Sequence, residues 1–372
     1  MRHEPLDIDP DIRTARTLPG WFYRSEQVHA WLEQRLLARS WQPITHLSRI
    51  EPLDEGVAPA AWPFVFLPGS VDEPLLLTRD EHGGVHCLSN VCTHRGATLV
   101  GEPCKRAELR CPYHGRRFAL DGRMLEMPGF EDAVDFPSPS DDLPQLPLVG
   151  FGNFLFTAID PAWPFAELVE LLVEHAGHLP WADAAIEPAG TAVYELEAHW
   201  LLYCDNYLEG LHIAHVHPTL AESLTGLETR LGPWGSVQIA RPRAGEPSIP
   251  APPEAPADHL GAAALYFFLF PNTMFNVYPW GMSLNVVEPL AVDRTRIRYE
   301  AWVWSPELYD TGAGSRLDQL EREDQASVRR MQRGVGSRLY DRGRYSPRHE
   351  LALHQFHRML ARGWNRSATE EG

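Results

Sequence analysis

The chain has 372 residues, 44% of them hydrophobic, with 12 tryptophans and 5 cysteines. That is longer than one ordinary domain and rich enough to bury large cores, so two domains are expected. Thirty-three basic against 50 acidic residues leave a formal charge of -17, a field that repels phosphate backbones and argues against a nucleic-acid partner.

The opening stretch, MRHEPLDIDPDIRTART, has no apolar core of the kind a signal peptide needs. The longest apolar run, Ala262 to Phe270, ends at Pro271 and is too short to span a bilayer. An odd five cysteines do not form a secreted disulfide framework, so a soluble, cytoplasmic protein without a membrane partner is expected. From Ser25 to Ser40, Val28, Trp31, Leu32 and Leu36 recur at helical spacing. From Trp41 to about Asp160, short β-type runs such as PFVFLP and GNFLFTAID alternate with Gly, Pro, Asp and Asn. A helix follows at FAELVELLVEHAGHL, then a strand at TAVYELEAHW, a second helix near Leu202 and a proline-rich loop, Arg241 to Pro256, with the makings of a lid. Strands ALYFFLF, TMFNVYPWGMSLNVVEP and RTRIRYEAWVW come next, and helices near Leu317–Arg333 and His349–Arg362 close the chain. The expected organisation is a helical segment (1–40) assigned to pack on the later domain, an all-β domain (41–160) and an α+β domain (161–372) with helices on an antiparallel sheet.

Two Cys/His pairs lie inside the β stretch. CTHRG offers Cys92 and His94; CPYHG offers Cys111 and His114. Two tight loops, each with one thiolate and one imidazole, can close a four-ligand site. Structural zinc accepts two Cys and two His as well. Gly96, Gly115 and Pro112 suit loops whose backbone amides point at sulfur, and only an iron cluster has bridging sulfides to stabilise. One Cys with one His in each pair is the arrangement in which His replaces Cys on one iron of a two-iron cluster.

These two motifs resemble the Rieske cluster-binding signature in the form carried by Rieske non-heme iron oxygenases. The resemblance implies one [2Fe-2S] cluster, with Cys92 and Cys111 on one iron and His94 and His114 on the other. Cys87 and Cys104 are nearby and read as ordinary thiols, with a disulfide or spare ligands as alternatives. Many such oxygenases carry Trp after CPYHG, whereas this chain has Arg116. The ligands are untouched, but the surface beside them is expected to differ, and with it contacts to partners or subunits.

A second constellation runs from Cys204 to Pro218, CDNYLEGLHIAHVHP. Asp205, Glu209 and His212 stand at i, i+4 and i+7, one face of a regular helix. His217 joins them only through a π-bulge or an unwinding before Pro218, and His215 competes with it. Two histidines and a carboxylate make the open triad used with Fe(II) and dioxygen. Asp324 lies in the apolar stripe of Leu317, Leu320, Val328 and Met331, where a carboxylate needs a metal or a partner such as Arg; Glu321 lies at its edge.

Glu209, His212, His217 and Pro218 together resemble the mononuclear iron motif of the oxygenase catalytic domain, and the segment ERED resembles the region supplying its Asp. The similarity extends from about Leu18 to Leu360 and is nearest to the single-polypeptide α subunits that include choline monooxygenase-like hydroxylases. It implies a helix-grip second domain and assigns His212, His217 and Asp324 to iron. Glu209, with Asp205 as a further catalytic candidate, would link His212 to His114 of a neighbouring copy in a homotrimer. The implied activity is hydroxylation of a small organic molecule, an aromatic compound or quaternary amine, including loss of a methyl group as formaldehyde. No nucleotide-binding glycine fingerprint is present, so NAD(P)H electrons would arrive from a separate flavin/iron–sulfur reductase or ferredoxin, and the acidic surface suits a basic patch on it. Tyr203, Phe275, Tyr278 and Trp280 are candidates to cage an ammonium group, to stack on an aromatic ring, or simply to fill the core. A Rieske electron carrier with a non-catalytic second domain, or a zinc-stapled binding protein, are the rival readings.

Overall fold

The structure is a computed structural model and describes residues 4–50, 60–252 and 261–370. It divides into two compact units, Ala38–Pro161 and Met1–Leu37 with Ala162–Gly372.

Short runs broken by turns give the described residues of the first unit only β structure with 3-10 turns. Its strands are β1 (Gln42–His46), β2 (Ala60–Phe66), β3 (Glu73–Arg79), β4 (Val85–Ser89), β5 (Cys104–Lys105), β6 (Leu109–Arg110), β7 (Arg117–Phe118), β8 (Met124–Glu126), β9 (Gln145–Leu146), β10 (Leu148–Phe151) and β11 (Phe154–Thr157). They form a five-stranded sheet ordered β5-β2-β3-β4-β9 and two three-stranded sheets, β1-β11-β10 and β6-β7-β8. Leu76, Leu88, Leu109 and Phe118 make a core that also takes in Cys92 and Cys111. Burying these side chains stabilises the unit by roughly 1.5–3 kcal/mol each. The two cysteines are therefore fixed from below by packing.

The Ser25–Ser40 helix is not uniform. It opens as α1 (Glu26–Trp31) under a Ser25 cap, widens into a π turn over Leu32–Leu36 and tightens to a 3-10 turn over Leu37–Arg39. Helices α2 (Phe165–Leu168) and α3 (Glu170–Ala176) break at Val169. Strands β12 (Ala185–Leu196), β13 (Leu224–Gly232), β14 (Gly235–Pro242), β15 (Ala264–Leu269), β16 (Thr273–Tyr278), β17 (Gly281–Ala291) and β18 (Arg294–Val303) form one antiparallel sheet ordered β12-β18-β17-β16-β15-β14-β13. The run expected as a single strand, TMFNVYPWGMSLNVVEP, is a hairpin turning at Pro279–Trp280, because Pro279 lacks the N–H a ladder needs. Helices α4 (Trp200–Tyr207), α5 (Ile213–Val216), α6 (Pro218–Ser223), α7 (Leu317–Val335) and α8 (Leu351–Glu370) complete it. Tyr194 of β12 donates to Asp318 of α7 at 2.8 Å, and Phe356 of α8 meets the Phe268 ring at 5.3 Å. This antiparallel sheet carrying α7 is the helix-grip arrangement. Trp31 reaches α8, its ring 5.4 Å from Trp364 and its Nε1 donating to Ser367 at 2.7 Å. No helix among the described residues is long and apolar enough to cross a membrane. Of the proline-rich loop, residues 253–256 lie outside the described residues.

Candidate metal centres

In the first unit the two Cys/His loops are near copies. Gly96 N–H donates to Cys92 O at 3.0 Å and Gly115 N–H to Cys111 O at 3.1 Å. Cys92 N–H donates to Ala97 O at 2.9 Å, and Cys111 N–H to Arg116 O at 2.8 Å. Each closure passes through a glycine with positive φ, +70° at Gly96 and +77° at Gly115, a conformation a Cβ would strain. Both cysteines are free thiols within hydrogen-bonding reach of one another. Burial raises the Cys92 thiol. Burial also opposes ionisation of Cys111, but backbone N–H groups of Tyr113 and His114 outweigh it and hold that thiol below its ordinary value. The His94 and His114 rings are 4.9 Å apart, and His94 Nδ1 is buried without a hydrogen-bond partner. An orphaned imidazole nitrogen beside two buried thiols is what a metal cluster would satisfy.

Cys87 and Cys104 are free; burial pushes the Cys87 thiol up to about 11. The Arg116 side chain itself turns inward and is 2% exposed, so it puts no guanidinium on the surface beside the ligands. It donates to Thr93 Oγ1 at 2.7 Å and Asp141 Oδ1 at 3.3 Å, and lies over Phe136 at 5.3 Å. His114 and Tyr113 are exposed here, their ring centroids 3.6 Å apart.

In the second unit, His212, His217 and Asp324 each turn one ligand atom to a common point, all within 4.8 Å of one another. His217 Nε2 is 2.9 Å and His212 Nε2 3.6 Å from Asp324 Oδ1. The opposite ring nitrogens face carboxylates: His212 Nδ1 lies 2.6 Å from Glu209 Oε1 and His217 Nδ1 2.7 Å from Glu323 Oε2. Each carboxylate fixes the tautomer that leaves Nε2 free for a metal. Asn206 Nδ2 donates to Asp324 Oδ1 at 2.8 Å; the described ion pairs of Asp324 are with histidines, not arginine. Burial opposes protonation of His217, but Asp324 and then Glu323 outweigh it and raise its pKa.

The shared helical face expected for Asp205, Glu209 and His212 does not form. Helix α4 stops at Tyr207, and the chain runs through Gly210 before α5 begins at Ile213. Asp205 therefore turns away from the histidines into a buried cluster, 2.7 Å from Tyr23 Oη and 3.0 Å from His357 Nε2. It is no part of the centre; Asn206, one position on, is. Glu209 is brought to His212 by the loop instead, its Oε2 accepting from the His212 backbone N–H at 3.3 Å and from that of Leu211. His217 is the break between α5 and α6, with φ −120° and ψ 64°, so unwinding before Pro218 turns it inward. His215 is exposed and outside the cluster. Glu321 is 5% exposed and hydrogen-bonded to Tyr203 and Gln325.

The three donors line a cavity of ≈ 720 Å³, its open mouth included. Tyr203 and Tyr278 line it, as do Tyr207, Tyr266 and Tyr299. Phe275 and Trp280 do not: Phe275 packs on Trp181 at 5.7 Å, and Trp280 stacks behind Tyr278 at 5.0 Å. Asn276 and Asn285 add amides from strands that are otherwise largely apolar, a signal sequence reading passed over. Glu323 was missed as well, since adjacent positions on a helix share no face with each other.

A Rieske [2Fe-2S] domain model matches residues 68–144, and a ring hydroxylating alpha subunit catalytic-domain model matches 184–364. Choline monooxygenase of Arabidopsis thaliana chloroplasts is 28% identical over 95% of this chain and 85% of its own. The carnitine monooxygenase oxygenase subunit of Escherichia coli K12 is 27% identical over 96% of both. A structure of the quaternary ammonium Rieske monooxygenase CntA, described for carnitine oxidation and inter-subunit electron transfer, superposes with a TM-score of 0.73 at 23% identity, covering 97% of this chain and 99% of that one.

Proposed function

The chain belongs to the Rieske non-heme iron oxygenases, and from that premise we propose that it is a terminal oxygenase that hydroxylates a small ammonium compound, releasing a methyl group as formaldehyde where an N-methyl carbon is attacked. Dioxygen is the co-substrate, and NAD(P)H electrons enter through a separate flavin/iron–sulfur reductase or ferredoxin. The observation that carries the reading is that His212, His217 and Asp324 converge on the wall of a cavity that five tyrosines also line.

Cys92, His94, Cys111 and His114 would hold the [2Fe-2S] cluster, and His212, His217 and Asp324 one Fe(II). Together these groups supply electrons one at a time and an iron with open positions for dioxygen chemistry. The chain's own residues do the positioning. Glu209 and Glu323 accept the Nδ1 protons of His212 and His217, which points both Nε2 lone pairs toward Asp324. Asn206 holds the Asp324 carboxylate in place. The tyrosines surround the substrate with apolar ring faces, which attract a cation without hydrogen-bonding it. Choline and carnitine, the compounds named for the relatives, share a trimethylammonium group, and this suits such a wall.

We place Glu209 at the junction between subunits of a homotrimer, accepting from His212 of its own chain and from His114 of a neighbouring copy. Its position beside His212 and the exposure of His114 support this. The test of the whole reading is a screen of quaternary amines and aromatic acids with a surrogate reductase, following dioxygen uptake and formaldehyde, beside metal analysis. About three irons per chain and formaldehyde from an amine are expected. About two irons and no uptake would return the protein to the electron-carrier class, and zinc without sulfide to a binding role.

A further inference from the structure

We propose that Glu321 sets the charge of the substrate: its carboxylate is the counter-charge for a permanently cationic ammonium group and excludes compounds that carry a carboxylate of their own. This rests on the ammonium reading above and goes further by naming the residue that selects.

Three acids, Glu209, Glu321 and Asp324, line the cavity, and none of its lining residues is lysine or arginine. Two of the acids are already engaged. Asp324 faces both histidines, and Glu209 holds His212 and the backbone beside it. Glu321 is left. Its Oε2 accepts from Tyr203 Oη at 2.6 Å and its Oε1 from Gln325 Nε2 at 2.9 Å. Both donors are neutral, so the hydrogen bonds are satisfied while the charge is not.

A carboxylate 5% exposed that forms no ion pair among the described residues is costly. Burial pushes Glu321 up to about 7. If the position served packing alone, a glutamine would avoid that penalty, its amide oxygen accepting from Gln325 and its NH2 donating to the Tyr203 hydroxyl, which can also accept. A trimethylammonium group supplies what is missing. It has no N–H to donate and needs none, because both carboxylate oxygens are occupied; what acts between them is Coulomb attraction in a partly desolvated cavity, reinforced by the ring faces. A substrate carboxylate in the same space would meet three acids and no lysine or arginine.

The experiment uses the full-length, metal-loaded protein and three probes of similar shape: choline, its uncharged carbon isostere 3,3-dimethylbutan-1-ol, and trimethylglycine. Binding is measured by calorimetry in the wild type, Glu321→Gln and Glu321→Asp, with iron and sulfide content checked in each. The wild type should bind choline on the order of tenfold tighter than the isostere, the size of one such charge contact. Glu321→Gln should bring that ratio close to one while the isostere holds its affinity and trimethylglycine gains. Glu321→Asp, which keeps the charge, should keep the preference. A ratio that survives in Glu321→Gln, or all three probes weakening together, overturns the role of Glu321 and leaves the ammonium reading standing. A wild type that binds the uncharged isostere as well as choline overturns both.

Discussion

The two donor sets hold their ligands by different means. Around Cys92 and Cys111 the backbone does it, through paired loop closures at 2.8–3.1 Å and two positive-φ glycines, and the cysteines are themselves part of the core. Around Asp324 the side chains do it: Glu209 on His212, Glu323 on His217, Asn206 on Asp324. A site whose ligands are also core residues ties metal binding to folding. A site assembled by side chains at the wall of a cavity can lose its metal and leave the fold standing.

The largest effect is therefore expected in the first unit. His94→Ala or Cys111→Ala should abolish the red-brown absorption and the paramagnetic signal of the reduced cluster, and should also strip amide hydrogen-exchange protection from residues 60–161. Loss of colour with full protection retained would break the comparison; retention of colour would remove the cluster assignment itself.

In the second unit, His212→Ala, His217→Ala or Asp324→Ala should remove one iron per chain and all turnover, while the cluster spectrum and hydrogen-exchange protection stay close to wild type. His215→Ala is the control and should keep the iron. An iron site emptied by His215→Ala but not by His217→Ala would reverse the choice between them.

One step further out, Glu323→Ala should weaken iron binding by about 10–100-fold, the usual cost of removing a carboxylate behind a histidine ligand, measured by competition with a chelator. Glu209→Gln should keep both metals and slow reoxidation of the cluster in rapid mixing with substrate and dioxygen, because an amide does not replace a carboxylate that accepts from two imidazoles. A wild-type rate would remove the inter-subunit route through Glu209.

The same contrast explains what could be read from the chain. CTHRG and CPYHG are legible because their geometry is local: ligands, glycines and closing amides all fall within six residues. The strands and the long helix over Asp324 follow from hydrophobic period and turn residues. Spacing and chemistry make His212, His217 and Asp324 candidates, but only the resemblance selects them over His215 and Glu321, since the chain separation of 107 residues between His217 and Asp324 is closed by tertiary packing. Helical spacing misled at Asp205, because regular geometry was carried past Tyr207 into a loop where it no longer applies. Glu323 has no local signal, and the five cavity tyrosines come from α4 and three different strands, β15, β16 and β18.

The smallest expected effect concerns α4, whose Tyr203, Asn206 and Tyr207 all reach the cavity. Its cap is His199, with Nδ1 accepting the Leu201 N–H at 3.2 Å, a role only the unprotonated nitrogen can fill. Burial pushes His199 down to about 3 from an ordinary 6.5, so the folded state keeps it neutral while an unfolded chain takes up the proton. The depressed folded value means that its contribution is fully present above pH 6.5 and is lost as pH falls toward 3, at a slope of at most about 1.4 kcal/mol per pH unit. His199→Asn keeps an oxygen acceptor at the cap and removes the titration. Its urea midpoint, followed by tryptophan fluorescence, should therefore fall less between about pH 7 and pH 5 than that of the wild type. His217 titrates with the opposite sign, since its folded pKa is raised, but it is present in both proteins and cancels in the difference. Parallel slopes would show that α4 is held independently of the protonation of its cap, and the side-chain-held centre would then owe its acid sensitivity to its own ligands alone.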